Sequence, residues 1–380
     1  MKRIFVVDSR PEILRTRVFI NSVLELYTEF SLDVITPFRG NVSIKRNILL
    51  RLFNQISKYC RYFIDLLSTF YFILKADYIY FPALTFSHFV SRFSFLIANA
   101  FRKKIIFDFF ISYYDTSVLD RKELSPKCRK AKYYKYLDKL SLLSYRVIYL
   151  TQTEASRYPK LFGVKESIIN GVIIPLTIKE RTKASLDFYK GKSDCFNIMW
   201  WGTYIPLHGL DRVIQSIQQI VNVNKQVHLY IFGTSEIASL PYRQMVEKYG
   251  LEEYITIDDT KSFNSGQLEP FIAAHCDLAL GAFGDSDKAR TVILHKSVEA
   301  IAMKIPVMVQ GPGGYVDVFS EDVLFYTSND VKSMSETVLD IMKVSEHEIM
   351  DKVEKAYAIY TDNFSPENSS VLYKQLLKKL

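Results

Sequence analysis

"FGDSDKARTVILHKSVEAIAMKIPVMVQGPGG", Phe283 to Gly314, is the stretch on which the reading of the chain turns. A charged loop passes into a helical run, crosses Lys304 into a short apolar strand and ends in glycines. Lys288, Arg290, Lys296 and Glu299 gather around what reads as a helix start between two strands. The preceding run, "CDLALGAFG", ends at the point where a doubly wound sheet holds its ligand, beyond the carboxyl ends of its strands. Arginine can grip phosphate oxygens with two hydrogen bonds and lysine adds a point charge. A helix N-terminus adds backbone N–H groups. The pattern predicts a bound diphosphate. Glu299, one turn in, suits the hydroxyls of a ribose, although alone it would read as an ordinary first-turn carboxylate favoured by the helix dipole.

Working outward, short apolar or aromatic runs recur along the whole chain. In the first half they are "RIFVVD", "LDVITP", "ADYIYFP", "KKIIFDFF", "YRVIYLT" and "ESIINGV". In the second half they are "FNIMWWGT", "VHLYIFG", "YITIDD", "CDLALGAF", "IPVMVQ" and "VLFYT". Continuous apolar runs alternating with helical patterns predict parallel sheet buried on both faces. Twelve strands exceed one compact open sheet of this type. The polar stretch Ile178–Cys195 has no apolar period and reads as a connection. The expectation is an α/β chain of two doubly wound, Rossmann-like domains, 1–178 and 196–380, joined by a linker at 179–195. The run from Pro366 has helical spacing and is expected to close the second domain.

The 380 residues suit two ordinary domains, and 48% hydrophobic against 24% charged residues describes a globular chain. The four cysteines, Cys60, Cys128, Cys195 and Cys276, show neither CxxC nor metal-ligand spacing, which fits a reducing compartment. The opening "MKRIFVVDSR" reads as a first strand rather than a signal peptide. No apolar run reaches the roughly 18 residues of a membrane span. The net charge of +8 is divided unevenly: residues 1–180 hold 29 Lys and Arg against 15 Asp and Glu, and the rest hold 20 against 26. Only the first half is therefore expected to face an anionic surface.

The segment "KARTVILHKSVEAIAMKIPVMV" resembles the nucleotide-binding segment of family 4 glycosyltransferases of the GT-B fold, in the branch that builds bacterial surface polysaccharides. There the pattern often reads Lys-x-x-Glu-Ala-x-Ala-x-Gly-x-Pro-Val. Lys296, Glu299, Ala300, Ala302, Pro306 and Val307 match it, while Lys304 and Ile305 stand where the glycine is usual. The second glutamate that much of the family carries eight residues earlier is Thr291 here. "MWWGTYIPLHGLDRVIQSIQQI" resembles the opening of the family's second domain, with a strand ending at Gly202 and an amphipathic helix starting at Gly209. The family's Arg and Lys in that loop, which meet the donor diphosphate, are replaced by Thr203 and His208. A largely neutral His is a poor substitute for a fixed cation. The resemblance therefore implies that Lys288, Arg290 and Lys296 meet the diphosphate, with Gly202, Thr203, His208 and Glu299 around the donor. Gly233, at the end of "HLYIFG", would let the backbone approach the nucleotide.

In the first domain, "FDFFISYYDTSVLDRK" places Asp108 and Asp115 after a strand. Asp108 matches the family position that touches a sugar, with an Asp helix cap as the simpler alternative. Arg10 and Arg15 follow the first strand and are expected to touch an anionic acceptor or the donor phosphate. The run Ser43–Lys75 has an apolar stripe through Ile44, Ile48, Leu52, Ile56, Cys60, Phe63 and Leu67. Arg46, Arg51, Lys58 and Arg61 lie off it. A basic amphipathic helix of this kind reads as binding an anionic membrane surface, with a helix packed on the sheet as the plain alternative.

The expectation is a retaining, metal-independent, hexosyltransferase-like enzyme, cytoplasmic and peripheral at the inner face of the cell membrane. It would move a sugar from a nucleotide-sugar donor, UDP- or GDP-linked, to the hydroxyl of a lipid-linked glycan or surface-polysaccharide acceptor. The nucleotide sugar is a substrate, so no cofactor is expected. No DxD-type carboxylate pair calls for a metal, and no recognition motif calls for nucleic acid. A nucleotide-sugar epimerase of the same fold, or a non-catalytic glycan-binding protein, are the alternatives.

Overall fold

The computed structural model describes residues 1–8, 10, 12–38, 48–184, 195–320 and 322–380, the side chains of 48–54 excepted. The first domain carries β1 (Lys2–Val7), α1 (Leu14–Glu25), β2 (Phe30–Ile35), α2 (Ile48–Lys75), β3 (Tyr78–Phe81), α3 (Phe89–Ala100), β4 (Lys104–Asp108), α4 (Arg129–Ser141), β5 (Arg146–Tyr149), α5 (Gln152–Phe162) and β6 (Gly171–Ile173). These strands form one parallel sheet in the order β2-β1-β3-β4-β5-β6. All six lie at the apolar runs seen in the sequence. The sixth is shifted, because Glu166–Ile168 winds into a 3-10 turn before the strand begins.

The second domain carries β7 (Phe196–Trp201), α6 (Leu210–Val221), β8 (Val227–Phe232), α7 (Glu236–Tyr249), β9 (Ile255–Asp258), α8 (Leu268–His275), β10 (Leu278–Leu280), α9 (Asp287–Thr291), α10 (His295–Ala302), β11 (Val307–Gln310), β12 (Phe325–Thr327), α11 (Val331–Ile341) and α12 (Glu346–Asn363). Its sheet is also parallel, in the order β12-β11-β10-β7-β8-β9. In both domains the strand order reverses beside the first strand, at β1/β3 and at β7/β10, where such folds bind ligands.

Burial on both faces explains the continuous apolar strands. Along β1, Phe5 and Val7 enter one core while Ile4 and Val6 enter another. Each such side chain contributes roughly 1.5–3 kcal/mol when removed from water. The apolar stripe of α6 (Leu210, Val213, Ile214, Ile217, Ile220) is wholly buried on its own sheet.

The last helix, α13 (Pro366–Lys378), corrects the expectation that it closes the second domain. It crosses back and gives Tyr373, Leu376 and Leu377 to the core holding Ile4, Val6 and Phe19 of the first domain. The first sheet has an apolar face between α1 and β1 that its own helices leave open, and α13 covers it. Lys304 shows how the missing glycine is tolerated. It keeps the left-handed conformation, φ 58°, and its ammonium pairs with Glu354 on α12 at 2.6 Å. A left-handed residue with a side chain costs about 1–2 kcal/mol, which the ion pair partly offsets.

One surface of the first domain is apolar and open. Ile56, Tyr59, Phe63, Ile64, Leu67, Tyr71 and Leu74 face outward along α2, and Phe89 and Phe93 do so along α3. Phe63 is 60% and Leu67 53% exposed. Thr69 and Ile73, on the opposite face of α2, are buried. From Ile56 through Phe63 and Leu67 the stripe read from the sequence is thus the outer face of the helix; Ile44 and the side chains of Ile48 and Leu52 lie outside the described residues. No helix among the described residues is long and apolar enough to cross a membrane.

Candidate functional site

A cavity of about 520 Å³ opens between the domains. The segment after β1 (Glu12, Arg15, Arg17), Ala83 and Leu84 after β3, and Phe110 after β4 form one wall. His295 and Glu299 of α10 form the other, and the crossover segment at Thr177, Lys179 and Arg181 joins them. Arginines and lysines outnumber carboxylates on these walls by four to two.

Glu299 reaches this cavity because the helical period of α10 turns Val298, Ile301 and Ala302 into the core. Trp201 Nε1, at the end of β7, donates to Glu299 Oε2 at 3.2 Å, and Arg181 donates to Oε1. His295 stands at the first position of α10, its ring edge-on to Phe110 across the cleft at 5.8 Å between centroids. Enclosure by the cleft walls, then Arg15 and Arg181, holds its imidazole down at about 4 although it keeps solvent access. It is therefore neutral at pH 7.

The three cations of the opening stretch do not meet. Lys288 and Arg290 are two residues apart on one short helix, so they point about 200° apart. Lys288 turns into the domain interface and donates to Thr116 Oγ1, with Asp115, Asp120 and Glu154 nearby. Burial lowers its pKa and those carboxylates oppose the shift. Arg290 is about half exposed, pairs with Asp287 at 2.7 Å, and lines a separate open groove of about 660 Å³. Residues 292–294 break the helix, so Lys296 belongs to the next one. Its ammonium lies 2.7 Å from His208 Nδ1 and 4.4 Å from the Trp200 ring centroid. Burial pushes the pKa of Lys296 well down. His208 is also held well below its usual value, first by burial, then by Lys296 and Arg121. Neither residue lines the cleft cavity.

The remaining donor-side residues are placed as follows. Gly202 has φ 145°, and a Cβ there would lie 3.2 Å from the His208 ring. Thr203 is exposed. At Gly233 the space expected for a nucleotide is filled by the chain itself. A Cβ there would lie 2.1 Å from the Tyr204 hydroxyl, which donates to Asp259 at 2.6 Å. Gly233 therefore makes room for Tyr204.

The first-domain residues expected to touch sugar or acceptor are mostly engaged elsewhere. Asp108 is buried. It accepts from Arg15 Nε at 2.7 Å and from the Tyr80 hydroxyl at 3.0 Å. Arg15 also donates to the Pro175 carbonyl and lines the cavity only with its edge. Asp115 is buried in a two-bonded ion pair with Arg157, both bonds at 2.7 Å. Arg10, at φ 36°, is held by Asp8 and Ser87. Neither Asp115 nor Arg10 lines the cavity. In each case a partner far along the chain claims a polar group that the sequence presents as free. Arg46 and the Arg51 side chain lie outside the described residues. Lys58 lies over the Tyr62 ring and Arg61 over the Phe38 ring.

Arg181 and His295 are cleft residues that the sequence left unmarked, and so is Trp201, which is buried and holds Glu299 without lining the cavity. His295 lies inside the opening stretch and was legible as a polar residue before Lys296. Nothing in the sequence links Arg181 to a carboxylate 118 residues on.

No protein-family model matches the sequence, and no curated protein matches it. Solved structures do. The chain aligns with a sucrose-phosphate synthase from Thermosynechococcus elongatus over 100% of this chain and 99% of that one, with 12% identity and a TM-score of 0.68. It aligns with Anabaena HepE, solved with UDP and glucose, over the whole of both chains, with 15% identity and a TM-score of 0.66. WaaG, a glycosyltransferase involved in lipopolysaccharide biosynthesis, matches over 98% of this chain and 99% of that one, with 13% identity and a TM-score of 0.58. At such identities the likeness is one of fold. The fold is GT-B, two Rossmann-like domains facing each other across a cleft.

Proposed function

We propose that the chain is a glycosyltransferase that takes a sugar from a nucleotide-sugar donor and hands it to an acceptor hydroxyl. The observation that carries this reading is Glu299, held by Trp201 and Arg181 in a cleft whose walls are otherwise mostly cationic. A carboxylate so held can accept two further hydrogen bonds from a ribose diol. The start of α10 beside it offers backbone N–H groups to a diphosphate. Arg17 and Lys179, which line the cleft, take the diphosphate role expected of Lys288 and Arg290. When the bond from the anomeric carbon breaks, the electron pair stays on the diphosphate, and fixed positive charge lowers the barrier. The acceptor oxygen bonds to that carbon and passes its proton to the departing diphosphate or to solvent. His295, neutral at pH 7, is a hydrogen-bond partner for the sugar or the incoming hydroxyl. The finer reading is retention at the anomeric carbon, a UDP- or GDP-linked hexose and no metal requirement.

The acceptor in this reading is a lipid-linked surface glycan, and the enzyme works at the inner membrane face. The outward apolar stripe of α2 and α3 supports that placement. Across residues 55–104 it is accompanied by seven cations (Lys58, Arg61, Lys75, Arg92, Arg102, Lys103, Lys104) and two carboxylates (Asp65, Asp77). Apolar side chains with a basic rim suit an anionic bilayer interface.

Incubation with a panel of nucleotide sugars tests the function. Slow release of free sugar and nucleoside diphosphate from one donor is the expected result. An isomerised nucleotide sugar would make the chain an epimerase, and no turnover with no binding would make it a non-catalytic protein.

A further inference from the structure

Arg181 comes from the segment that the sequence presents as a plain linker, yet it is buried and engaged at both terminal nitrogens. Its side chain is 9% exposed. One nitrogen, Nη1, donates to Glu269 Oε2 at 3.0 Å, and the other, Nη2, donates to Glu299 Oε1. The guanidinium lies over the Phe263 ring, 4.3 Å from its centroid. The adjoining backbone is fixed as well. Thr182 N–H donates to Glu269 Oε1 at 2.8 Å, and Ala184 N–H donates to the Met303 carbonyl at 2.8 Å.

We propose that Arg181 is a positioning residue that aims the Glu299 carboxylate into the cleft. The inference rests on the donor-site reading above. An ionised carboxylate offers about four lone-pair sites. Arg181 and Trp201 Nε1 each take one, on different oxygens, which leaves one on each oxygen for two neighbouring hydroxyls. Arg181 therefore orients Glu299 without blocking it. Glu269 is the anchor on the far side. It does not line the cavity, and Thr182 and Arg181 hold its carboxyl below the usual range against burial. The planar fork can bridge two carboxylates at once, which a lysine ammonium cannot do in the same geometry. Because Arg181 belongs to the crossover between the domains, the shape of the donor site depends on how that crossover is seated.

The test is calorimetric binding of UDP, GDP and their 2′-deoxy counterparts to the full chain, as wild type, Arg181→Ala, Arg181→Lys, Glu269→Gln and the Arg181→Ala/Glu269→Gln double variant. For the nucleotide that wild type binds, Arg181→Ala should lose about tenfold or more in affinity, the scale of a charge-assisted hydrogen bond. Arg181→Lys should recover part of it. Glu269→Gln should fall between, and the double variant should be no worse than Arg181→Ala, because the two act through one contact. The 2′-deoxy form should bind wild type more weakly and lose little more in Arg181→Ala. An equal loss for the ribo and deoxy forms overturns the positioning role, since the arginine would then act on phosphate or on the fold. Unchanged affinity in Arg181→Ala overturns Arg181 alone. A wild type that binds no nucleoside diphosphate overturns this inference and the donor-site reading together. Should Arg181→Ala not fold, Arg181→Lys and Glu269→Gln still decide: wild-type affinity in both refutes the role.

Discussion

Lys296 Nζ stands 2.7 Å from His208 Nδ1, with the two residues only 5% and 7% exposed. Two bases in one dry site cannot both carry a proton. The lysine donates and the imidazole accepts. Lys296→Met keeps the volume but leaves the buried His208 Nδ1 without this hydrogen-bond donor, a cost of about 1–3 kcal/mol. Thermal melting should show a loss of that order, while donor turnover should fall if the ammonium serves the diphosphate. Full turnover in Lys296→Met would make the pair purely structural.

The same pair sets an acid response. His208 is a base whose folded pKa is depressed, so the stability it contributes is present above its unfolded value of about 6.5 and is lost as pH falls. One group can add a slope of at most about 1.4 kcal/mol per pH unit. Denaturant midpoints should fall between about pH 7 and pH 5 in wild type and fall less steeply in His208→Asn. Identical pH profiles for wild type and His208→Asn would refute the depressed imidazole.

Asp108→Ala should unfold the protein more readily, by about 3–5 kcal/mol, because it leaves Arg15 charged, buried and without its carboxylate. Replacing both members, as Arg15→Met with Asp108→Leu, should recover much of that loss. Chemical denaturation measures both. An Asp108→Ala protein of wild-type stability with no activity would instead return Asp108 to direct sugar contact.

Glu299→Ala should weaken nucleotide binding by roughly 1–3 kcal/mol, the range of a lost hydrogen bond to a charged group. The fold should survive, since the side chain borders the cavity. Unchanged calorimetric affinity would remove the ribose assignment.

Anionic vesicles should co-sediment with the protein. Each cation near an anionic leaflet contributes on the order of 1 kcal/mol. One molar salt shortens screening to about 3 Å and should weaken the binding. The outward Phe63 and Leu67 add an apolar part that salt does not remove. Lys58→Glu with Arg61→Glu should reduce the salt-sensitive part, and Phe63→Ser with Leu67→Ser the remainder. No binding at low salt, or binding untouched by both pairs, would assign this face to something else.

Legibility in the sequence followed the range of the interactions. The strands were readable because a strand buried on both faces must be apolar at nearly every position, as in "YIYF" of β3 and "VMVQ" of β11. The inward stripe of α6 was readable because helix period and burial are local. The outward stripe of α2 was also visible, but period alone does not say which side meets water. That depended on Thr69 and Ile73 finding the sheet.

Two parallel sheets and Glu299 as a carboxylate near a helix start were legible in the sequence. Only the tertiary structure decided which charges face the cleft. Asp115 is taken by Arg157, Asp108 by Arg15, Lys288 by Thr116, and Glu299 is held by Arg181. It also decided that α13 returns to the first domain. Apolar patterning is written in every few residues, because burial acts on each side chain. The pairing of a buried charge is settled only when distant segments meet, because a desolvated charge must find its partner wherever the fold brings one.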